Sequence, residues 1–260
     1  MANAENLDYN LNSLFASPST AGITSGIDPA NLPKKIINGK CVEVFPHQRL
    51  PVNTVFEVVH AHGGFTAYAD KHPAYELVSG PSGEGLDEGY FPEINSIADA
   101  AGHDFTANVD LAITWDGLHV AAWLDWIDGI TPTNASVMRP LGGNTPTLFG
   151  GNFQSVSVGQ KTQGYKSDLS FTDGLLKALD FVDSSLGQIV KKLKDKGIYD
   201  DTLIIIASKH GQAPINPKLF GKVDPDAVTK DTDVPVLFNT VSFFPLSLNS
   251  TNVRNFERRR

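Results

Sequence analysis

A long helical pattern followed directly by an unbroken apolar run constrains the fold more than any other feature of the sequence. Between residues 172 and 196, leucine, isoleucine and valine recur at helical spacing, which is typical of a helix with one face packed on a core. Thr172 or Ser170 can cap the N-terminus of this helix, and Gly197 ends it. Residues 202–207 then read Thr-Leu-Ile-Ile-Ile-Ala, and this predicts a strand buried on both faces, as in a parallel sheet.

A related unit lies earlier in the chain. Residues 53–62 carry valines at helical spacing behind Asn53, a suitable N-cap, and Gly63-Gly64 ends the pattern. Residues 65–69 then predict a short strand that stops at Asp70. Because a helix that links parallel strands crosses over with right-handed geometry, the two units predict an α/β fold with a mostly parallel sheet.

The chain between these units predicts a long loop and two further elements. Glycine and proline dominate residues 79–95, which predicts a loop long enough to be a functional one. Residues 115–127 have the spacing of a helix that Asp128-Gly129 ends. Residues 147–158 predict one or two buried strand segments, broken at Gly150-Gly151.

The two ends of the chain predict little regular structure. Residues 1–50 are rich in asparagine, serine, proline and glycine, and we expect a wrapping segment or a poorly ordered arm there. We expect an irregular tail at residues 221–260. The α/β part is therefore assigned to residues 51–220.

Composition limits the partners of the chain. The formal net charge is −8, which argues against duplex nucleic acid as a partner. No apolar run approaches the roughly 20 residues that span a bilayer, so we expect no membrane span. The N-terminus has neither a basic nor an apolar region typical of a signal peptide, whereas the sequons at Asn134 and Asn249 hint at secretion, and the compartment stays open.

Polar residues follow two of the predicted strands. Asp70, Lys71 and His72 end the first, and Lys209 and His210 end the second. Because ligands of open α/β sheets bind beyond the carboxyl ends of the strands, these side chains are candidates for one site. Carboxylate, ammonium and imidazole groups together suit a metal ion or an anion such as phosphate. Each run read alone is equally typical of a polar turn.

Four motifs in a consistent order resemble the alkaline-phosphatase superfamily, and more narrowly the fungal and plant branch of type I phosphodiesterase/nucleotide pyrophosphatase-like proteins. They lie across residues 25–220. The motifs are Val55-Phe-Glu-Val-Val through Tyr75, Gly80-Pro-Ser-Gly-Glu-Gly through Ser96, Phe149 through Gln160, and Phe181-Val-Asp-Ser-Ser-Leu-Gly through Ser208-Lys-His-Gly-Gln-Ala-Pro-Ile-Asn216.

The resemblance implies an α/β/α sandwich in which two divalent metals, usually zinc, activate a Ser or Thr nucleophile for attack on phosphorus. It implies a phosphoric ester or diester hydrolase whose substrate is a phosphorylated small molecule or nucleotide. His210 matches a metal-ligand position, and His72 is the second candidate ligand. Lys209 replaces a ligand carboxylate, so we assign it with Asp70 and Lys71 to catalysis. The family's Asp-x-x-x-His pair falls at Val156 and Gln160.

The resemblance also leads us to expect a partial domain at residues 51–220. Family members begin with a strand that ends in a metal-binding Asp and continue to a nucleophile, and neither is found before residue 50. A non-catalytic relative that keeps the fold is therefore the alternative to a hydrolase. The Cys-x-Pro-x-Arg motif of sulfatases is absent, because Cys41 is followed by Val-Glu-Val, and this argues against a sulfate ester hydrolase.

Overall fold

The computed structural model describes residues 5–15 and 22–209, together with Pro214 and Lys218. The described helices are α1 (Val55–Ala61), α2 (Val109–Asp128), α3 (Ser155–Thr162) and α4 (Asp173–Asp195). The strands are β1 (Lys34–Ile37), β2 (Lys40–Glu43), β3 (Thr66–Ala69), β4 (Glu88–Tyr90), β5 (Ser136–Val137) and β6 (Leu148–Gly151). No described helix is both long and apolar enough to cross a membrane.

The main sheet has the strand order β5-β4-β3-β6. β3 pairs in parallel with β4 and with β6, while β5 pairs with β4 in the antiparallel sense. Ala69, the last residue of β3, lies opposite both Tyr90 and Gly151. The fold is therefore α/β with a mostly parallel sheet, as predicted, and three parallel strands end at one edge.

The core lies between this sheet and the helices. Trp126 and Ala122 of α2 pack in one cluster with Ala67 and Ala69 of β3, and α3 and α4 pack against α2. Gly151 is required where β6 meets β3, because a Cβ there would lie 2.3 Å from the carbonyl oxygen of Ala69. Close packing at the ends of β3 and β6 therefore fixes the position of the residues that follow them.

Helices that carry local signals agree with the sequence. α4 begins behind Thr172, whose side chain accepts a hydrogen bond from the Leu175 amide, and Gly197 follows it with φ of 73°. α1 has Thr54 as its N-cap in place of Asn53, because Glu57 completes a capping box with Thr54. α2 begins at Val109, behind the N-cap Asn108, and so starts six residues earlier than predicted.

The predicted loop at residues 79–95 contains β4, so that prediction is wrong. β4 is only three residues long, and its glutamate and glycine have poor strand propensity. Glu88 is fully buried because it accepts hydrogen bonds from Trp126 Nε1 at 2.9 Å and Thr131 Oγ1 at 2.5 Å. Both partners lie about forty residues away in sequence, so no local pattern indicates this strand.

The second strand segment predicted within residues 147–158 is a helix. β6 ends at Gly151 as expected, but α3 begins at Ser155. Asp116 of α2 accepts hydrogen bonds from the amides of Gln154 and Ser155, both at 2.8 Å, and so caps α3 from another element. Gln160 therefore lies on a helix, where its amide donates to the Tyr165 hydroxyl.

The buried strand predicted at residues 202–207 is not formed. These residues have no regular secondary structure, and Leu203 and Ile205 are 83% and 78% exposed. A buried strand needs hydrogen-bonded neighbours, and within the described residues no strand of the sheet pairs with this segment. The crossover that depended on this strand is likewise absent from the described part of the chain.

Part of the N-terminal segment, predicted as irregular, folds onto the domain. β1 and β2 form an antiparallel hairpin, and Leu7, Ile27 and Leu32 pack in a cluster with Ala74. One compact unit extends to Ala207 and a second begins at Ser208. The boundaries predicted at residues 50 and 220 stay predictions, and the predicted tail at 221–260 lies outside the described residues.

Candidate functional site at the carboxyl ends of the strands

Asp70 is held rigidly where β3 ends. Its amide donates to the Tyr90 carbonyl at 3.1 Å, which extends the ladder between β3 and β4 by one bond. Its carboxylate accepts hydrogen bonds at 2.8 Å from the hydroxyl of Tyr68 and from the amide of Lys71. Asp70 is almost completely buried, so it serves as an internal acceptor that fixes the turn after β3.

The residue that follows β6 also contacts the Asp70 carboxylate. Asn152 Nδ2 lies 3.4 Å from Oδ1 of Asp70, and the Asn152 carbonyl accepts a hydrogen bond from Nδ1 of His119 at 3.0 Å. Burial lowers the pKa of His119 to about 4, so its imidazole is neutral near pH 7. Two strand ends are therefore joined through hydrogen bonds to Asp70 and Asn152.

Lys71 places its ammonium group beside Glu5 and Tyr75 at this edge, with about a fifth of its side chain exposed. The Lys71 carbonyl accepts from the Ile94 amide at 3.1 Å, which ties the turn to the segment after β4. Its Nζ lies 3.5 Å from Oε1 of Glu5 and 5.5 Å from the centre of the Tyr75 ring. Lys71 therefore supplies a positive charge whose position is set from three sides.

His72 is buried and paired with Glu93. Its Nδ1 lies 2.8 Å from Oε2 of Glu93 and 3.0 Å from Oε1. A carboxylate can only accept, so Nδ1 of the ring carries the hydrogen. The opposite nitrogen, Nε2, faces Glu5 with 3.9 Å to Oε2. The pair with Glu93 therefore fixes the ring and leaves Nε2 on the side of Glu5.

A second buried carboxyl group lies beside Glu93. Burial and the neighbouring charge of Glu93 raise the pKa of Asp8 to about 8, so Asp8 is protonated at neutral pH. Glu93 also accepts from the Asn95 amide at 2.9 Å. His72 and the Asn95 amide therefore hold the Glu93 carboxylate by hydrogen bonds, and the protonated Asp8 lies beside it.

The Glu5 carboxylate is the acceptor for hydrogen-bond donors at this edge of the sheet. The Tyr75 hydroxyl donates to Oε1 of Glu5 at 2.8 Å, and Lys71 approaches the same oxygen. Burial on its own would raise the pKa of Glu5, but the hydrogen bond from Tyr75 and the charges of Lys71 and His72 outweigh it and lower that pKa. Glu5 is therefore an anion that is held by a hydrogen bond from Tyr75 and by the positive charge of Lys71, with His72 nearby.

These five residues, Glu5, Lys71, His72, Tyr75 and Glu93, are called the strand-end cluster below. The sequence predicted Lys71 and His72, and it missed the other three. Tyr75 comes close because the chain folds into a 3-10 helix after His72, with the Tyr75 amide donating to the His72 carbonyl at 3.0 Å. Glu93 follows β4, so a correct prediction of that strand would have indicated Glu93 as a site residue. Glu5 comes from a distant segment with no local signal.

The two remaining site residues predicted from the sequence, Lys209 and His210, lie outside the first compact unit or outside the described residues. Lys209 falls in the second unit, which begins at Ser208, and His210 lies outside the described residues. The grouping of Lys209 and His210 with the residues after β3 therefore stays a prediction. Among the described histidines, His47 pairs with buried Glu76 at 2.7 Å and His103 with Asp99 at 2.8 Å, so both have structural partners that the sequence did not reveal.

The described residues do not fit a divalent metal. Such an ion takes about four ligands, and within the described ranges no three His, Cys, Asp or Glu side chains are grouped to hold one. The oxygens of Asp70 are already occupied, Nδ1 of His72 is bound to Glu93, and the ammonium of Lys71 opposes a nearby cation. We therefore derive no catalytic step through a metal.

Comparison with known proteins assigns the chain to a family. No curated protein and no solved structure matches the chain. The family model described as type I phosphodiesterase / nucleotide pyrophosphatase matches residues 30–247, which is most of the chain and includes the whole segment from β3 to β6. The chain therefore belongs to the type I phosphodiesterase / nucleotide pyrophosphatase family of the alkaline-phosphatase superfamily, as its sequence motifs predicted.

Proposed function

We propose that the strand-end cluster binds the phosphoryl group of a phosphorylated small molecule or nucleotide, and that the chain hydrolyses a phosphoric ester or diester there. Membership of the family supports a phosphoester hydrolase-like function. One observation carries the assignment to this edge. An ammonium group, an imidazole and a phenol, from Lys71, His72 and Tyr75, surround a single carboxylate, that of Glu5.

The three donors suit a phosphoryl group better than a carboxylate. A phosphoryl group has three peripheral oxygens that accept charge-assisted hydrogen bonds, and its charge grows on those oxygens as the ester bond breaks. In this proposal Lys71 neutralises that charge and the Tyr75 hydroxyl donates to one oxygen. Both groups are held in place before a ligand arrives, which lowers the cost of ordering them on binding.

His72 is the proposed acid–base group. Its Nδ1 is bound to Glu93, so Nε2 is the nitrogen that exchanges a proton with the ligand. A carboxylate that orients an imidazole in this way also stabilises the imidazolium form. A water molecule would attack phosphorus to form the new P–O bond and release a proton to the solvent, while the imidazolium form of His72 donates its Nε2 proton to the leaving oxygen of the P–O bond that breaks. Glu93 would act as the positioning residue of His72. Asp70, which we grouped with the catalytic residues from the sequence, would position Lys71 through its amide.

The family is typically metal-dependent, and by resemblance zinc is the candidate metal. His72 and His210 are the candidate ligands from the sequence. Since the described residues do not fit such an ion, a metal in this chain would require ligands beyond them. The roles given above to Lys71, His72 and Tyr75 do not depend on it.

A binding protein without turnover is the alternative, and one observation favours it. Among the described residues, no Ser or Thr hydroxyl hydrogen-bonds to His72, so the described cluster contains no activated hydroxyl nucleophile. Such a relative would use the same donors to bind a phosphorylated ligand and leave it intact.

Turnover of a bis-aryl phosphate and binding of a nucleoside monophosphate separate the two functions. Lys71→Gln removes the central charge and keeps a polar side chain, and Lys161→Gln removes an exposed lysine on α3 as the matched control. We expect Lys71→Gln to weaken nucleotide binding about tenfold or more, since a charge-assisted hydrogen bond contributes about 1.5–3 kcal/mol. Turnover lost in Lys71→Gln and in His72→Gln supports the hydrolase. Binding without turnover in the wild type supports the alternative, and binding that is unchanged in Lys71→Gln excludes this edge as the site.

A further inference from the structure

We propose, building on the function proposed above, that Glu5 is an intramolecular stand-in for the phosphoryl group. Its carboxylate would occupy the subsite of the phosphoryl group and compete with an incoming ligand. The N-terminal segment would thereby regulate access to the strand-end cluster.

The contacts of Glu5 are those expected of a bound anion. Oε1 accepts from the Tyr75 hydroxyl at 2.8 Å and lies 3.5 Å from Nζ of Lys71. Oε2 is turned toward Nε2 of His72. The donors come from one turn of chain after β3, whereas the carboxylate comes from a segment about seventy residues earlier in sequence.

Two of the contacts between Glu5 and the rest of the strand-end cluster are long. Oε2 lies 3.9 Å from Nε2 of His72, which is longer than a hydrogen bond, and the approach of Lys71 is also long for a charged pair. A carboxylate offers two oxygens that lie in one plane. A tetrahedral phosphate group can present one oxygen to each donor, so exchange of Glu5 for phosphate improves the contacts of His72.

Glu5 can leave without disturbing the core. Its side chain is 42% exposed, so water replaces its partners at low cost. The anchor of the segment is Leu7, two residues further along, which is buried in the cluster with Ile27. Asp8 is also held, by a β-bridge to Ile27. The local movement of Glu5 therefore opens the subsite while the rest of the segment stays in place.

The expected effect is moderate because the competing contact is partly exposed. Partly exposed ion pairs contribute up to about 1 kcal/mol, which corresponds to about fivefold in affinity. A tethered group acts at a local concentration in the millimolar range, and this is enough to compete with a small anion that binds weakly.

The test is calorimetric titration of the full chain with inorganic phosphate. Glu5→Gln removes the charge and keeps an oxygen that can accept from Tyr75, so the fold is preserved. Glu84→Gln is the matched control, because Glu84 is an exposed glutamate of the same domain that has no contact with the cluster. Thermal unfolding of each variant verifies that the proteins compared are folded.

We expect Glu5→Gln to bind phosphate about threefold to fivefold more tightly than the wild type, and Glu84→Gln to bind as the wild type does. Equal affinity of Glu5→Gln and the wild type, with binding lost in Lys71→Gln, would overturn the role of Glu5 and leave the proposed phosphoryl site intact. No phosphate binding by any of the proteins, or binding that Lys71→Gln does not change, would overturn both.

Discussion

Nδ1 of His72 lies 2.8 Å from Oε2 of Glu93, and both side chains are buried at the edge where the parallel strands end. The pair sets which imidazole nitrogen faces the ligand. Glu93→Gln should therefore lower the turnover of a bis-aryl phosphate about tenfold or more with little change in KM, because a misoriented imidazole affects proton transfer more than binding. Steady-state kinetics with Glu84→Gln as the control measures both constants. A rise in KM alone would assign Glu93 to ligand binding.

Asp8 makes stability depend on pH. Its pKa is raised to about 8 in the folded chain by burial and by Glu93, against an ordinary carboxyl value of about 3.9 when unfolded. Between these values the folded state holds a proton that the unfolded state has lost, so the free energy of unfolding falls as pH rises through this range. Asp8→Asn should reduce that fall by more than about 1 kcal/mol between pH 5 and pH 8.

Urea unfolding of wild type, Asp8→Asn and the exposed-site control Asp183→Asn at several pH values measures this effect. We expect only Asp8→Asn to flatten the pH profile of the free energy of unfolding. Equal pH profiles for all three proteins would mean that Asp8 does not hold the extra proton.

Asp116 stabilises α3 from a different helix. It is buried and accepts the amides of Gln154 and Ser155, which are the donors left open where a helix begins. Asp116→Asn keeps the shape but turns an amide group toward one of those donors. We expect it to lower the free energy of unfolding by about 1–3 kcal/mol, as for a buried donor left unpaired. The same urea measurement, with Asp183→Asn as control, tests it, and an unchanged midpoint would argue against the cap.

The exposure of residues 202–207 gives a matched pair of substitutions. Ile205 is 78% exposed, whereas Ile127 at the end of α2 is fully buried. Ile205→Glu should change the free energy of unfolding by less than about 0.5 kcal/mol. Ile127→Glu buries an unpaired charge and should cost more than about 3 kcal/mol. Comparable losses in the two variants would indicate that residues 202–207 form a buried strand after all.

Elements with local signals were predicted correctly. α4 has a cap, a regular apolar period and a terminal glycine within its own sequence, and β3 lies between Gly64 and Asp70. β4 and α3 were missed because their stabilising partners are distant: Trp126 and Thr131 for Glu88, and Asp116 for α3. For residues 202–207, in contrast, a strand was predicted that is not formed. An apolar run has strand propensity, but it forms a strand only beside a hydrogen-bonded neighbour.

The residues of the candidate site also fall into two groups, those with a local signal in the sequence and those without one. Lys71 and His72 follow β3 directly, so their position could be derived from the end of that strand. Glu93 and Glu5 depend on how the chain folds back, through β4 and through the N-terminal segment. A sequence pattern indicates which groups end a strand, whereas it does not indicate which buried carboxylates will meet them.

NMR of the histidine and tyrosine side chains during a titration with inorganic phosphate tests the central claim most directly. His72 and Tyr75 belong to the strand-end cluster, and His103, an exposed histidine paired with Asp99, is the internal control. We predict saturable shifts of the His72 and Tyr75 ring resonances, no saturable shift for His103, and loss of the effect in Lys71→Gln. Phosphate that leaves His72 and Tyr75 unchanged would contradict the assignment of a phosphoryl site to this edge of the sheet.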